Sequence, residues 1–494
     1  MKPIPQSHHP FVIIGGGPAG LTAAYELTRH HHKPLVLERL DKVGGIARTE
    51  NYKNYYFDMG GHRFYTKSEE VNQFWHEILG DDFLHRPRLS RIYYRNRYFH
   101  YPLKPLNALL GLGFFEGFLL ALSFLRWHLF PYPEEETFEQ WVTNRFGKRL
   151  YETFFKSYTE KVWGIPCSEL KAEWAAQRIK NLSFRTALSN MFFKAGNVKS
   201  LIESFYYPRQ GPGMLWTAVK EQVESRGGIV QLNSEVTTIH REGNRIVGVG
   251  VRQNERDLFI TGEHFISSMP ITTFLKQLTP PPPAHVLHAA QQLRYRDFLI
   301  VCLIVKRPSL FPDNWIYIHE PSVQVGRIQN FKNWSPDMVP DPNTTSLGLE
   351  YFCNMGDNLW NMADEALIEL GKKELAQIGL AQPEDVIDGC VFRVEKSYPM
   401  YDSDYAGHLA TIREYLGTLT NFQTIGRNGL HRYNNQDHAM LTGMYAVRNI
   451  LFGEHHDLWR INAEDSYLEE IAAAEQYAPN KRPFRDKFPT PATN

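Results

Sequence analysis

The tightest constraint on this chain is the stretch Phe11–Glu38, FVIIGGGPAGLTAAYELTRHHHKPLVLE. Phe11–Ile14 is a short apolar run of the kind that makes a buried parallel strand, and Leu21, Ala24, Tyr25 and Leu27 follow at helical spacing. A second apolar run, Pro34–Leu37, ends in Glu38. Between strand and helix, Gly15, Gly17 and Gly20 stand at G-x-G-x-x-G spacing. Gly15 permits the tight turn, Gly17 lets the backbone approach a pyrophosphate, and Gly20 lets helix and strand pack closely. Pro18 and Ala19 open the helix, whose free N–H groups and dipole favour an anion. Glu38, followed by Arg39, is placed to accept hydrogen bonds from ribose hydroxyls. Strand, glycines, helix, strand and acid in this order predict a β-α-β unit that grips a dinucleotide.

Two further pieces lengthen that site: Val43-Gly44-Gly45-Ile46-Ala47-Arg48-Thr49 and Tyr56-Phe57-Asp58-Met59-Gly60-Gly61-His62. A nicotinamide site needs little beyond the first unit. A second glycine pair carrying Arg48 and Thr49, then a D-x-G-G-H turn, lets the backbone follow a longer, bulkier cofactor. The arrangement resembles the FAD-binding face of the flavin amine-oxidase superfamily. That resemblance implies FAD, with Gly44, Gly45, Arg48 and Thr49 along the flavin and Gly60, Gly61 and His62 near its ring. Val236 is expected near the adenine end, and Ser268 at the end of a returning strand. Gly426-Arg427 and Asn434-Asn435-Gln436-Asp437-His438-Ala439 lead into a last helix. Its N-terminus is expected to point at the flavin and the ribityl chain, with Gly426, Arg427, Asn434, Asn435, Asp437 and Ala439 as contacts.

These pieces predict an α/β protein with a Rossmann-like FAD-binding domain of the glutathione-reductase type. That domain is discontinuous, over 1–67, 206–279 and 417–465. A mainly helical substrate or lid insertion is expected over 68–205 and an antiparallel β-sheet substrate domain over 280–416. A C-terminal helix and loose tail are expected over 466–494. Within the last strands of the FAD domain, Asp257–Thr261 and His264–Ser268 read as separate. The most apolar stretch, 106–130, holds Glu116 and three glycines, and its densest run, Leu109–Leu125, is 17 residues long. A spanning helix needs about 20 apolar residues. A buried helix or helical hairpin is therefore expected, with peripheral membrane contact as the alternative.

Balanced charge, 54 basic against 54 acidic residues, argues against nucleic acid as a partner. Cys167, Cys302, Cys353 and Cys390 form no C-x-x-C pair, and no metal-ligand spacing is present. His8-His9 and His30–His32 fall at a loose start and a helix C-terminus, so no metal is expected there. The opening residues lack an apolar signal core, which predicts a cytoplasmic protein, membrane-associated if 106–130 makes contact.

Beyond the FAD motifs, the chain resembles the UDP-galactopyranose mutases. The matching pieces are GGHRFYT (60–66), YTEKVWG with SEL (158–164, 168–170), QRI (177–179), VGRI (325–328), KSYP (396–399) and GRNGLHRY (426–433). The resemblance implies that Tyr158 stacks on uracil, while Trp163, Arg178 and Arg327 surround sugar and diphosphate. It implies that Tyr398 and Tyr433 hydrogen-bond the phosphates, that Arg427 lies near the flavin and that His62 lies against its ring. The implied activity is a redox-neutral isomerisation of a nucleotide sugar, pyranose to furanose, in which reduced flavin N5 is the nucleophile. His62, Arg178, Arg327, Tyr398 and Tyr433 are the catalytic candidates, and NADPH or another donor is the implied reductant. Guanidinium forks and phenol hydroxyls suit a diphosphate on chemical grounds. After Arg178 the chain departs from the family pattern with a longer, more apolar run, and 106–130 is also greasier. Those departures suit a lipid-linked glycan. They also suit an FAD-dependent oxidoreductase acting on a hydrophobic molecule, as in amine oxidase, protoporphyrinogen oxidase or phytoene desaturase relatives.

Overall fold

The structure is a computed structural model that describes residues 6–101, 103, 107, 111–172, 200, 201, 203–402, 404–462, 470 and 471. The run Phe11–Ile14 is the buried end of a longer strand, Gln6–Ile14. It lies between Leu35–Leu37 and Arg256–Ser267, parallel to both, and Ile229–Gln231 extends the parallel run beyond Leu35–Leu37. Phe422–Thr424 adds in parallel to the end of Arg256–Ser267, while Arg245–Gln253 and Ser234–Glu242 continue the sheet in antiparallel fashion. Strand alternation sorts the apolar side chains onto two faces. Phe11, Ile13, Val36 and Ile266 join a core covered by the helices Pro18–Arg29, Pro212–Ser225 and Gln436–Phe452. Val12, Ile14, Leu35, Leu37 and Phe265 join the core on the opposite face. This is a doubly wound, Rossmann-like sheet buried on both sides.

Two local expectations change. Asp257–Thr261 and His264–Ser268 are one continuous strand, because Gly262 carries the chain flat against the first strand: a Cβ there would stand 2.8 Å from the His9 carbonyl. His8 and His9, expected in a loose start, are strand residues paired with Thr261 and Gly262.

A seven-stranded sheet forms the second layer, in the order Val386–Pro399, Tyr295–Val305, Thr345–Cys353, Arg327–Asn330, Trp315–Ile318, Ser90–Tyr94, Arg97–His100. Its first five strands were expected as an antiparallel sheet. The sheet is mixed, because Trp315–Ile318 runs parallel to Ser90–Tyr94. That hairpin comes from the segment read as mainly helical, and it turns at Arg95 and Asn96, both with positive φ. The helical part of the insertion includes Phe114–Leu129, Phe138–Phe146 and Ser157–Trp163. The first of these departs from expectation: only Gly117 and Leu120 of Phe114–Leu129 are buried. Among the described residues no helix is long and apolar enough to cross a membrane. Of the expected C-terminal helix and tail, only Glu470–Ile471 is described, as a short strand against Ser200–Leu201.

Candidate active site

The two sheets share a cavity of about 580 Å³. At one end it is lined by the glycine turn. Gly15 has φ +103°, and a Cβ on it would meet Ser268 Oγ, which itself donates to the Ile14 carbonyl at 3.1 Å. Gly17 caps the Pro18–Arg29 helix with no side chain over the first N–H groups, so Gly17, Pro18 and Ala19 present an open helix N-terminus to the cavity. Gly20 is not on the wall. A Cβ there would fall 1.9 Å from the Gly15 carbonyl, so its role is the close helix–strand approach. Glu38 lines the cavity with both oxygens engaged, Oε2 accepting from Gly16 N at 2.7 Å and Oε1 from Leu40 N at 2.9 Å. Burial pushes its carboxyl pKa up, against those two bonds. Gly16, which sequence reasoning passed over, lies close under Glu38, where a Cβ would stand 3.1 Å from the Glu38 Cβ and press on the carboxylate.

The second glycine pair packs on the first. Gly44 N donates to the Gly16 carbonyl at 2.9 Å from behind the wall, and Gly45 lines the cavity against Gly17. Arg48 lines the cavity too, with Nε donating to Glu50 at 2.7 Å and Nη1 to the Gly45 carbonyl at 3.0 Å. Thr49, expected beside the flavin, is a brace instead. It donates to Asp58 Oδ1 at 2.8 Å and accepts from Gly213 N at 2.9 Å, outside the cavity lining. Asp58 also accepts from the Tyr207 hydroxyl. Its carboxyl is fully buried and is pushed up to about 7 by desolvation, against the pull of Tyr207 and Thr49.

Gly60, Gly61 and His62 come next on the wall. His62 Nδ1 lies 3.2 Å from the Gly60 carbonyl, an acceptor only, so Nδ1 carries the proton and Nε2 is the free acceptor. Burial first, and then the charges of Arg427, Arg327 and Arg48, bring its pKa down to about 3. His62 is a neutral imidazole at physiological pH and cannot serve as a general acid from the imidazolium form.

Arg327, Tyr398, Tyr433 and Arg427 share this wall with His62. The two phenol rings stack at 5.7 Å and 18°, and the Arg427 guanidinium sits 4.5 Å from the Tyr433 ring centre. Arg427 donates to the carbonyls of Asn434 and Ser397, each at 2.9 Å. Arg327 is differently placed. Its Nε and Nη2 fork onto Glu350, at 3.0 and 2.6 Å, and Glu350 also accepts from Gln329 Nε2 at 2.8 Å. Glu350, fully buried and absent from the sequence-based candidates, thus offsets the charge of the expected anion clamp. Burial raises the Tyr398 pKa, so its hydroxyl stays a donor.

Two predicted substrate contacts are not on the cavity wall. Tyr158 stacks on His319 at 4.8 Å and meets Tyr317 edge-on, so one face of its ring is already covered by this chain. Trp163 is buried behind Tyr398, edge to face at 6.3 Å. Arg178 lies outside the described residues. In their place the wall carries Trp315, Tyr317 and Trp334, with the two indoles stacked at 5.3 Å. Trp315 and Tyr317 alternate along one strand, a two-residue period that marks a common face.

The adenine-side residues Arg39 and Val236 line the cavity, and Arg39 reaches Glu395 of the second sheet at 3.7 Å. Gly426 also lines it, and so do Asn434, Asn435, Asp437 and Ala439 at the N-terminus of the Gln436–Phe452 helix. The donor set fits a dinucleotide-linked flavin. Two helix N-termini face one cavity, and Asn434 Nδ2 is buried with no partner among the described residues.

The family described as flavin containing amine oxidoreductase matches residues 18–431. Among curated proteins, the chain is 43% identical over 63 residues to an L-amino acid oxidase of Crotalus durissus cumanensis, covering 13% of each chain. It is 26% identical over 292 residues to the 15-cis-phytoene desaturase of an Oncidium hybrid cultivar, covering 54% of this chain and 47% of that one. The chain therefore spans less than half the length of these curated relatives. Among solved structures, reduced UDP-galactopyranose mutase superposes with a TM-score of 0.79 over 93% of this chain and 99% of the other, at 22% identity. At that identity the likeness shows a shared fold.

Proposed function

This chain belongs to the flavin containing amine oxidoreductase family, and we propose that, as an FAD-dependent enzyme, it interconverts pyranose and furanose forms of a nucleotide-linked or related sugar. The observation that supports this reading most is the cluster of Arg427, Tyr398, Tyr433 and Arg327 beside a neutral His62 on one cavity wall. A hydride-abstracting site for a hydrophobic substrate has no use for two guanidinium groups and two phenols at one spot. A diphosphate leaving group does.

Held at Gly15, Gly17, Glu38, Gly45 and Arg48, FAD reduced by NADPH or another donor would supply a nucleophilic N5. The chain's own residues bind, orient and stabilise. Arg427 and the hydroxyls of Tyr398 and Tyr433 hold the diphosphate as it separates from the sugar. Arg327, oriented by Glu350, presents a fixed guanidinium to the same oxygens with a smaller net field. His62 Nε2 accepts a hydrogen bond from the sugar or from the cofactor. Gln329 Oε1, buried with no partner among the described residues, accepts from a sugar hydroxyl. Trp315, Tyr317 and Trp334 give flat faces to the remainder of the substrate.

A second reading rests on those same aromatic residues. Phe298, Trp315 and Trp334 make part of the wall apolar, which favours an oxidoreductase with a hydrophobic substrate. One experiment separates the two. The protein, reduced with dithionite, is incubated with UDP-galactopyranose and other nucleotide sugars, and furanose is sought by chromatography. Furanose formed by reduced enzyme alone supports the mutase. Turnover by oxidised enzyme only, with consumption of oxygen or a quinone, establishes the oxidoreductase instead.

A further inference from the structure

The Phe114–Leu129 helix leaves a large apolar face uncovered. Phe114 is 93% exposed and Phe115 71%, and Phe118, Leu122, Leu125 and Leu129 are all about half exposed or more. At 3.6 residues per turn these six positions fall within an arc of about 100°. The opposite side carries the buried Gly117 and Leu120, and Leu120 packs into the core shared with Phe154, Trp163 and Tyr398. The helix is thus anchored by one face, and its other face is a single continuous stripe. Contiguous apolar surface of this kind marks a contact site.

Charge along the borders of the stripe identifies what covers it. Arg126 lies on one edge and His128 on the other, both exposed. Arg97, at the exposed tip of the Ser90–Tyr94/Arg97–His100 hairpin, donates to the carbonyl of Gly111 just ahead of the helix, and Arg95 is exposed beside it. Glu116, the helix's own acid, is taken up by Arg149 at 2.8 Å. The next acids, Glu134–Glu136, lie beyond the helix end, where Glu135 is held by Arg145. Sixteen residues make a helix about 24 Å long, short of the ~30 Å hydrocarbon core. We propose that this stripe seats the protein on a bilayer surface, the helix lying in the plane of the interface with its phenylalanines and leucines among the acyl chains and Arg95, Arg97 and Arg126 at anionic headgroups. The geometry does not depend on which substrate the cavity takes.

The test is flotation of the full-length, flavin-loaded protein with vesicles of equimolar phosphatidylcholine and phosphatidylglycerol. The wild-type protein rises with the vesicles, and binding to vesicles of phosphatidylcholine alone is several-fold weaker. The triple variant Phe115→Ser, Phe118→Ser, Leu122→Ser keeps its flavin absorbance and circular dichroism, and its bound fraction falls by at least about tenfold. Arg95→Ala with Arg126→Ala reduces binding to the anionic vesicles while leaving that to neutral ones unchanged. Three outcomes overturn the proposal: wild-type protein that stays at the bottom of the gradient, a triple variant that floats as well as wild type, or a wild-type dimer by light scattering that the triple substitution converts to monomer without any vesicle binding.

Discussion

Asp58 holds its proton more tightly folded than unfolded, and that has a sign. Its carboxyl moves from an ordinary 3.8 to about 7 in the folded protein. The native state therefore binds more protons than the unfolded chain between those values, and stability falls as pH rises through that window. The full effect is about 4 kcal/mol. Asp58→Asn removes the titration, so its melting temperature relative to wild type should climb steadily from pH 4 to pH 8. A flat difference would show that Asp58 does not titrate there. His62 runs the other way: its depressed pKa makes stability fall as pH drops from about 6.5 toward 3. Because it is neutral throughout the working range, the pH–rate profile should carry no inflection near 6.5 that His62→Gln removes. For Arg427, whose guanidinium meets backbone carbonyls, Arg427→Ala should raise KM for a diphosphate-bearing substrate by the equivalent of 2–5 kcal/mol, typical of a lost buried charge contact. The same change at Arg327 should cost less, because Glu350 already offsets its charge. At this scale the sequence was an incomplete guide. Arg327 was visible in VGRI, but its partner Glu350 lies 23 residues away in the neighbouring strand, and strand register is not written in any local motif.

Two helices, Pro18–Arg29 and Gln436–Phe452, bring their N-termini to the same cavity, and they do so by touching backbone to backbone. A Cβ on Gly443 would stand 2.4 Å from the Ala19 carbonyl and 3.1 Å from Ala23 N. Gly443→Ala should therefore push the helices apart, costing about 1–3 kcal/mol of stability. It should also weaken flavin retention, read as loss of the 450 nm absorbance on gel filtration. Unchanged flavin content would show that the crossing is not what sets the cofactor site. The first glycine cluster was legible because turn, helix start and strand end are all local. Gly443 was not, since a single glycine inside a helical pattern reads only as a weak helix residue until the partner helix is known. The Phe114–Leu129 helix was misplaced for a related reason. Its apolar run has the same composition whether it faces a core or a surface, and only the packing of Gly117 and Leu120 shows which side is inward.

Across the whole molecule, the cavity is closed by contacts between the two sheets, and these differ in strength. The Arg39–Glu395 pair spans them, but both side chains are well exposed, so Arg39→Ala should change thermal stability by no more than about 1 kcal/mol. The architecture was readable from the alternation of strand, helix and glycine turn in the first sheet. The second sheet was half readable: its strands carry clear apolar runs, but the parallel pairing of Trp315–Ile318 with Ser90–Tyr94 joins residues more than 200 positions apart and leaves no periodic trace.

That long-range pairing has a bearing on how the chain comes off the ribosome. In the first sheet, Val12 pairs with Phe265, and Phe265 pairs in turn with Phe422. In the second, Arg91 must wait for Ile316. At 5–20 residues per second, the edge of the opening strand that faces Arg256–Ser267 stays open for roughly 10–50 s after its other neighbour, Leu35–Leu37, has emerged, and a sheet edge left open that long is a template for the wrong partner. The cofactor cavity forms only when residues near 430 have emerged. Chains arrested near residue 400 should therefore be protease-sensitive in the first sheet, which still lacks Phe422–Thr424 and the Gln436–Phe452 helix, and unable to retain flavin, so that cofactor capture and completion of that sheet become one late event.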